Sequence, residues 1–129
     1  MTVIEGICNS GKLGRRVGSR FSAALKLIAL HKRGWLDPAD GRANPLSGDD
    51  AREARNMLEL IEHEIGPDYW PIIARVVLGD LEVEDCYDLF STITNGRRDT
   101  MILNGLCKGL DIIAPKIGLW EKEHYTCKI

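Results

Sequence analysis

The chain has 129 residues, 44% of them hydrophobic, which is enough for one buried core and too few for two domains of ordinary size. No run of about 18 apolar residues occurs, and no apolar stretch follows the first charges, so neither a membrane span nor a secretory signal is expected, and the expected compartment is the cytoplasm. The net charge of −2 conceals three zones: residues 1–35 carry seven basic and one acidic side chain (net +6), residues 36–92 four against fourteen (−10), and residues 93–129 six against four (+2).

A basic face can coexist with an acidic total, because charge acts locally and is screened over about 8–10 Å. The four cysteines, Cys8, Cys86, Cys107 and Cys127, form no C-x-x-C pair. His31, His63 and His124 are isolated from one another. The spacing therefore predicts free, reduced thiols, no metal site and no cofactor.

In chain order, residues 1–18 read as a flexible basic arm without a periodic core. Lys12, Arg15 and Arg16, with Arg20 just beyond, are placed to reach a phosphate backbone. Within the arm, GICNSGKL (6–13) nearly matches the phosphate-cradling loop G-x-x-x-x-G-K-[ST]. Leu13 replaces the hydroxyl, and no later segment resembles the strands such a loop needs, so nucleotide hydrolysis is not expected.

From residue 19 the pattern becomes helical, with Phe21, Leu25, Ile28 and Trp35 as candidates for burial and Gly34 as the stop. Pro38, Gly41, Asn44, Pro45 and Gly48 then mark a connection. Ser47, Asp49 and Asp50 open a helix in which Ala54, Met57, Leu58, Ile61 and Ile65 recur at three- and four-residue spacing. Gly66 and Pro67 end it. Asp68 can cap a broadly apolar, central helix carrying Trp70, Ile72, Ile73, Ala74, Val76 and Val77, which Gly79 closes.

Residues 81–113 read as an acidic supporting helix with Val83, Cys86, Leu89 and Phe90 inward, a polar turn containing Asn95 and Gly96, and a longer helix opening with Arg97, Arg98 and Asp99. This is the outline of a helix-turn-helix, although its turn is longer than the usual three or four residues. In the second helix Leu103, Leu106, Leu110, Ile113 and Ile117 define the expected buried face, while Arg97, Thr100, Asn104 and Lys108 share the polar one. Gly105 and Gly109 cost a helix about 1 kcal/mol each relative to alanine, which implies close approach by a neighbouring helix or a nucleic-acid backbone. Pro115 should break or bend the chain, and Trp120 should cap the core.

AREARNMLELIEHEIGPDYWPIIARVVLGDLEVEDC together with RRDTMILNGLCKGLDIIAPKIGLW, within residues 51–120, resembles a family of bacterial and phage domains of unassigned function. That family is marked by a helix, a Gly-Pro break, a hydrophobic helix and a helix-turn-helix-like end. The same end is similar to the DNA-reading region of sigma factors, and the resemblance implies major-groove binding.

The expected architecture is all-α: a small bundle of about five helices spanning residues 19–129 and containing a helix-turn-helix-like pair. The expected function is that of a small transcription regulator of phage or mobile-element type. It would bind duplex DNA through Arg97, Arg98, Thr100, Asn104 and Lys108, with flanking phosphate contacts from the basic arm and affinity raised by homodimerisation. The alternative is a protein-binding inhibitor or adaptor that offers Glu82, Glu84, Asp85 and Asp88 to a basic partner. No catalytic constellation is evident, and the protein is not expected to be an enzyme.

Overall fold

A computed structural model describes residues 1–35, 49–90 and 95–125. The connection through Pro38 and Pro45, the Ser47 cap, the turn at 91–94 and Cys127 lie outside the described residues, and so do the side chains of Trp35, Asp49, Asp50 and Trp120. Five α-helices carry the described fold: α1 (Val3–Asn9), α2 (Val17–Trp35), α3 (Asp49–Ile65), α4 (Trp70–Ile73) and α5 (Asn95–Tyr125). Shorter helical segments join them, and no strand occurs among the described residues. The architecture is a small all-α bundle.

The first eighteen residues are folded rather than an arm without a core. Thr2 caps α1 by accepting from the Glu5 N–H at 3.2 Å, and Ile4 and Ile7 point into the core. Asp80, in the left-handed region at φ 55°, accepts a hydrogen bond from the Val3 N–H at 2.7 Å and so ties the start of the chain to the end of the central helix. Leu13, which stands where a phosphate loop would have its hydroxyl, is fully buried. The Gly6–Asn9 part of the near-match is helical, not a phosphate-cradling loop.

Helix α2 packs against α3, α5 and α1. Its buried face consists of Ala23, Ala24, Leu27 and Leu30, whereas Phe21 and Ile28 are half-buried and Leu25 is exposed. Its small residues mark where a neighbouring helix comes close. At Gly34 an added Cβ would lie 2.9 Å from the Arg55 side chain of α3, whose guanidinium donates to the Gly34 carbonyl at 2.9 Å. In α3, Ala54, Met57, Leu58, Ile61 and Ile65 are all buried, as the spacing predicts.

Helix α4 runs directly into a π-helical turn (Ala74–Leu78), the Gly79 N–H reaching the Ala74 carbonyl at 2.8 Å. Ile72, Ile73, Val76 and Val77 form its buried side. Gly79 is required there, since a Cβ would stand 2.8 Å from the Arg75 carbonyl oxygen. The acidic segment Val83–Phe90 is a 3-10 helix, not an α-helix; Cys86 is buried and Val83, Leu89 and Phe90 pack partly against the core.

Helix α5 is the spine. Its 31 residues extend through Pro115, which sits exposed and does not end the helix, and Asn95 and Gly96 belong to its first turn rather than to a preceding loop. The fully buried positions are Ile102, Leu106, Leu110, Ile113 and Ile117, with Leu103 only half-buried. The buried arc is thus turned by one residue at its start relative to the expected series. Gly105 and Gly109 admit α4: a Cβ would stand 2.5 Å from Ile72 Cδ1 at the first and 3.0 Å from Ile73 at the second.

Candidate nucleic-acid interface

Burying one side of α5 leaves a polar stripe on the other. Arg97, Thr100, Asn104 and Lys108 are all exposed, with Met101 among them. At 1.5 Å per residue, Arg97 and Lys108 are separated by roughly 16 Å along the axis. Arg98 departs from the stripe. Its guanidinium lies 5.6 Å from the centre of the Tyr87 ring, and the Tyr87 hydroxyl donates to the Asp99 carboxylate, so these three side chains fasten the 3-10 segment to the start of α5. Asp99 holds the Tyr87 phenol in its protonated form, its pKa pushed up to about 12.

The basic N-terminal residues arrive beside this helix. The backbone turn after α1 packs on one flank of α5, where Cys107 Sγ approaches the Lys12 carbonyl at 3.9 Å. Lys12, Arg15 and Arg16 are exposed on that turn and on the 3-10 turn Gly14–Arg16 that follows it. Arg20 is differently placed. It donates through Nε and Nη2 to both oxygens of Asp111, at 2.8 and 2.7 Å, and through Nη1 to the Leu13 carbonyl at 2.6 Å. With its side chain 17% exposed, it is a structural clamp between α2, the basic turn and α5, not a group directed at a phosphate. The Arg20 guanidinium lowers the Asp111 carboxyl pKa, with a weaker contribution from Arg16, whose Nη1 is 3.7 Å away. The Asp111 carboxylate, one turn beyond Lys108 on α5, is thereby paired within the fold.

The four acidic residues expected to meet a basic partner divide into two pairs. Asp88 binds Arg75 at 2.5 Å, and Asp85 accepts from the Glu82 N–H at 3.0 Å, so both have local structural roles. Glu82 and Glu84 are exposed and border a cleft of about 380 Å³ between α1, the 3-10 segment and α5, where Lys12 and Asp99 also face inward.

Cys8, Cys86 and Cys107 are free thiols; burial raises the pKa of the latter two. Among the described residues no group of three or more histidine, cysteine or acidic side chains is arranged to hold a metal ion, and no helix is long and apolar enough to cross a membrane. No protein-family model, curated protein or solved structure matches the chain.

The sequence identified the polar stripe but not its flank. Lys12 and Cys107 are 95 positions apart, and the pairing of Arg20 with Asp111 spans 91; no local periodicity reports such contacts.

Proposed function

We propose that this protein is a small DNA-binding regulator that presents the exposed face of α5 to the major groove of duplex DNA. The observation that carries the reading is the seating of the basic turn against α5, which brings Lys12, Arg15 and Arg16 to the flank of a helix face already bearing Arg97 and Lys108. Side chains of this kind supply phosphate contacts along the edge of a groove, while Asn104 and Thr100 are the groups on the stripe able to read base edges. The likeness of residues 81–113 to the DNA-reading region of sigma factors agrees with this mode. The 3-10 geometry of Val83–Phe90 implies that this segment positions α5 without crossing the groove as a second α-helix. A homodimer would add the affinity that one sparse helix lacks.

The direct test is fluorescence anisotropy with a labelled random-sequence duplex at low salt. It compares the native chain with the double variant Arg97→Ala, Lys108→Ala, which leaves the Arg98–Tyr87–Asp99 cluster intact. Loss of binding in the double variant, with no change in Glu82→Gln, Glu84→Gln, supports the proposal. No binding by the native chain rejects it and turns attention to Glu82 and Glu84 as a surface for a basic protein.

A further inference from the structure

Along the exposed face of α5, Arg97, Met101, Asn104 and Lys108 follow one another at intervals of four, three and four residues, and all are exposed. At about 100° per residue they fall within an arc of roughly 60°, so the helix presents a single line of side chains with a cation at each end and two uncharged groups between. Met101 is out of character there. It is 38% exposed, the one large hydrophobic side chain left exposed on α5 among the described residues, while its neighbours Ile102 and Leu106 are fully buried on the opposite side. The nearby acids are engaged within the fold: Asp99 accepts from the Tyr87 hydroxyl and Asp111 from Arg20. The centre of the line is therefore a thioether and a carboxamide, with the Thr100 side chain exposed beside them.

We propose that the centre of this face selects A·T base pairs, Asn104 bonding N6 and N7 of an adenine and Met101 meeting the C5-methyl of a thymine. This preference rests on α5 entering the major groove, as proposed above. A straight helix reaches the floor of a curved groove only near the middle of its contact. With Met101 and Asn104 at the floor, Arg97 and Lys108 each lie about 6 Å further along the axis, toward the phosphate walls. A carboxamide matches the donor and acceptor that adenine presents in the major groove, and the thymine methyl is the apolar group presented there. Guanine is read best by arginine or lysine and cytosine by a carboxylate, and the centre of the line has neither. Met101 and Asn104 are about 4.5 Å apart along the helix, little more than the roughly 3.4 Å step between base pairs, so the two contacts fall on the same or adjacent pairs.

The full chain is titrated at low salt with three duplexes of equal length, of alternating A·T, G·C and inosine·C pairs. Inosine·C carries the minor-groove edge of A·T and the major-groove edge of G·C, so it separates the two grooves. The A·T duplex should bind about tenfold more tightly than both others. Uracil in place of thymine should weaken binding by the native chain and leave Met101→Ala unchanged, and 7-deazaadenine should do the same with Asn104→Ala. Both variants alter exposed side chains, and circular dichroism checks that they fold. Equal binding of the three duplexes overturns the A·T preference and leaves the DNA-binding reading standing. Inosine·C bound as tightly as A·T, or indifference of the native chain to uracil and to 7-deazaadenine, overturns it too, since the major-groove atoms are then not what is read. No binding to any duplex rejects both.

Discussion

Among single residues, Arg20 and Leu13 carry the most weight, because Arg20 stands where the sequence suggested a phosphate contact and Leu13 in a stretch that read as a flexible arm. Leu13 is fully buried, so Leu13→Ala should destabilise the protein by about 2–5 kcal/mol, the range for a truncated core leucine. Urea unfolding checks this, and a change near zero would mean that the N-terminal turn is not docked. Arg20 makes three charge-assisted or carbonyl hydrogen bonds from a mostly buried position. Its replacement by alanine should cost roughly 1.5–3 kcal/mol, the range for hydrogen bonds to charged groups.

The same pair fixes a pH dependence. Because the folded protein lowers the Asp111 pKa, the ionised carboxylate contributes stability above the unfolded value near 4. That contribution is lost as pH falls through the lower, folded value. Asp111→Asn should therefore be less stable than the native chain at pH 7, and the gap should narrow on acidification below about pH 4. For Tyr87 the sign is opposite: its pKa is raised to about 12, so the phenol's contribution is complete below the ordinary value near 10 and disappears as pH rises through the folded value. Ultraviolet titration should show one tyrosine ionising near 12, absent in Tyr87→Phe.

For the elements, the decisive feature is how closely α4 and α5 approach. An alanine at Gly105 gains helix propensity of about 1 kcal/mol. Its Cβ must nevertheless displace Ile72, 2.5 Å away and 1% exposed, and overpacking of that kind costs about 1–3 kcal/mol. Gly105→Ala should thus lower stability slightly, and Gly105→Val should lower it strongly; both are measurable by thermal unfolding.

The elements also show what could be read from the sequence. Helix α3 was legible at Ala54, Met57, Leu58, Ile61 and Ile65, all of them buried, because one amphipathic face meets the core. Helix α2 was not: Leu27 and Leu30 are buried with Ala23 and Ala24 while Leu25 is exposed and Phe21 and Ile28 are half-buried, so large apolar residues lie all round the helix and the spacing does not mark one face. Helix α1 has seven residues, too few to form alone, and depends on Asp80 and on the burial of Ile4 and Ile7. Pro115 resembled a terminator. Its ring faces solvent while Ile113 and Ile117 on the opposite side of the helix are buried, and that packing offsets the missing hydrogen bond.

For the molecule as a whole, the fold converts a chain of net charge −2 into a bundle with distinct surfaces. The polar residues of α5 were visible in the sequence as a stripe, and the structure keeps Arg97, Thr100, Asn104 and Lys108 exposed on one face. Removal of Arg20 from the candidate set, and the gathering of Lys12, Arg15 and Arg16 beside α5, required the tertiary contacts.

The salt dependence of duplex binding decides whether α5 and the turn beside it meet DNA. If Lys12, Arg15, Arg16, Arg97 and Lys108 each meet a phosphate, as proposed, the slope of log K against log salt is roughly −4.5, at about −0.9 per contact. In Arg97→Ala, Lys108→Ala the slope should become shallower by about 2, while in Arg20→Lys it should stay unchanged. A native slope near zero, or a double variant with the native slope, would contradict the assignment of α5 and its flanking turn as a DNA-binding face.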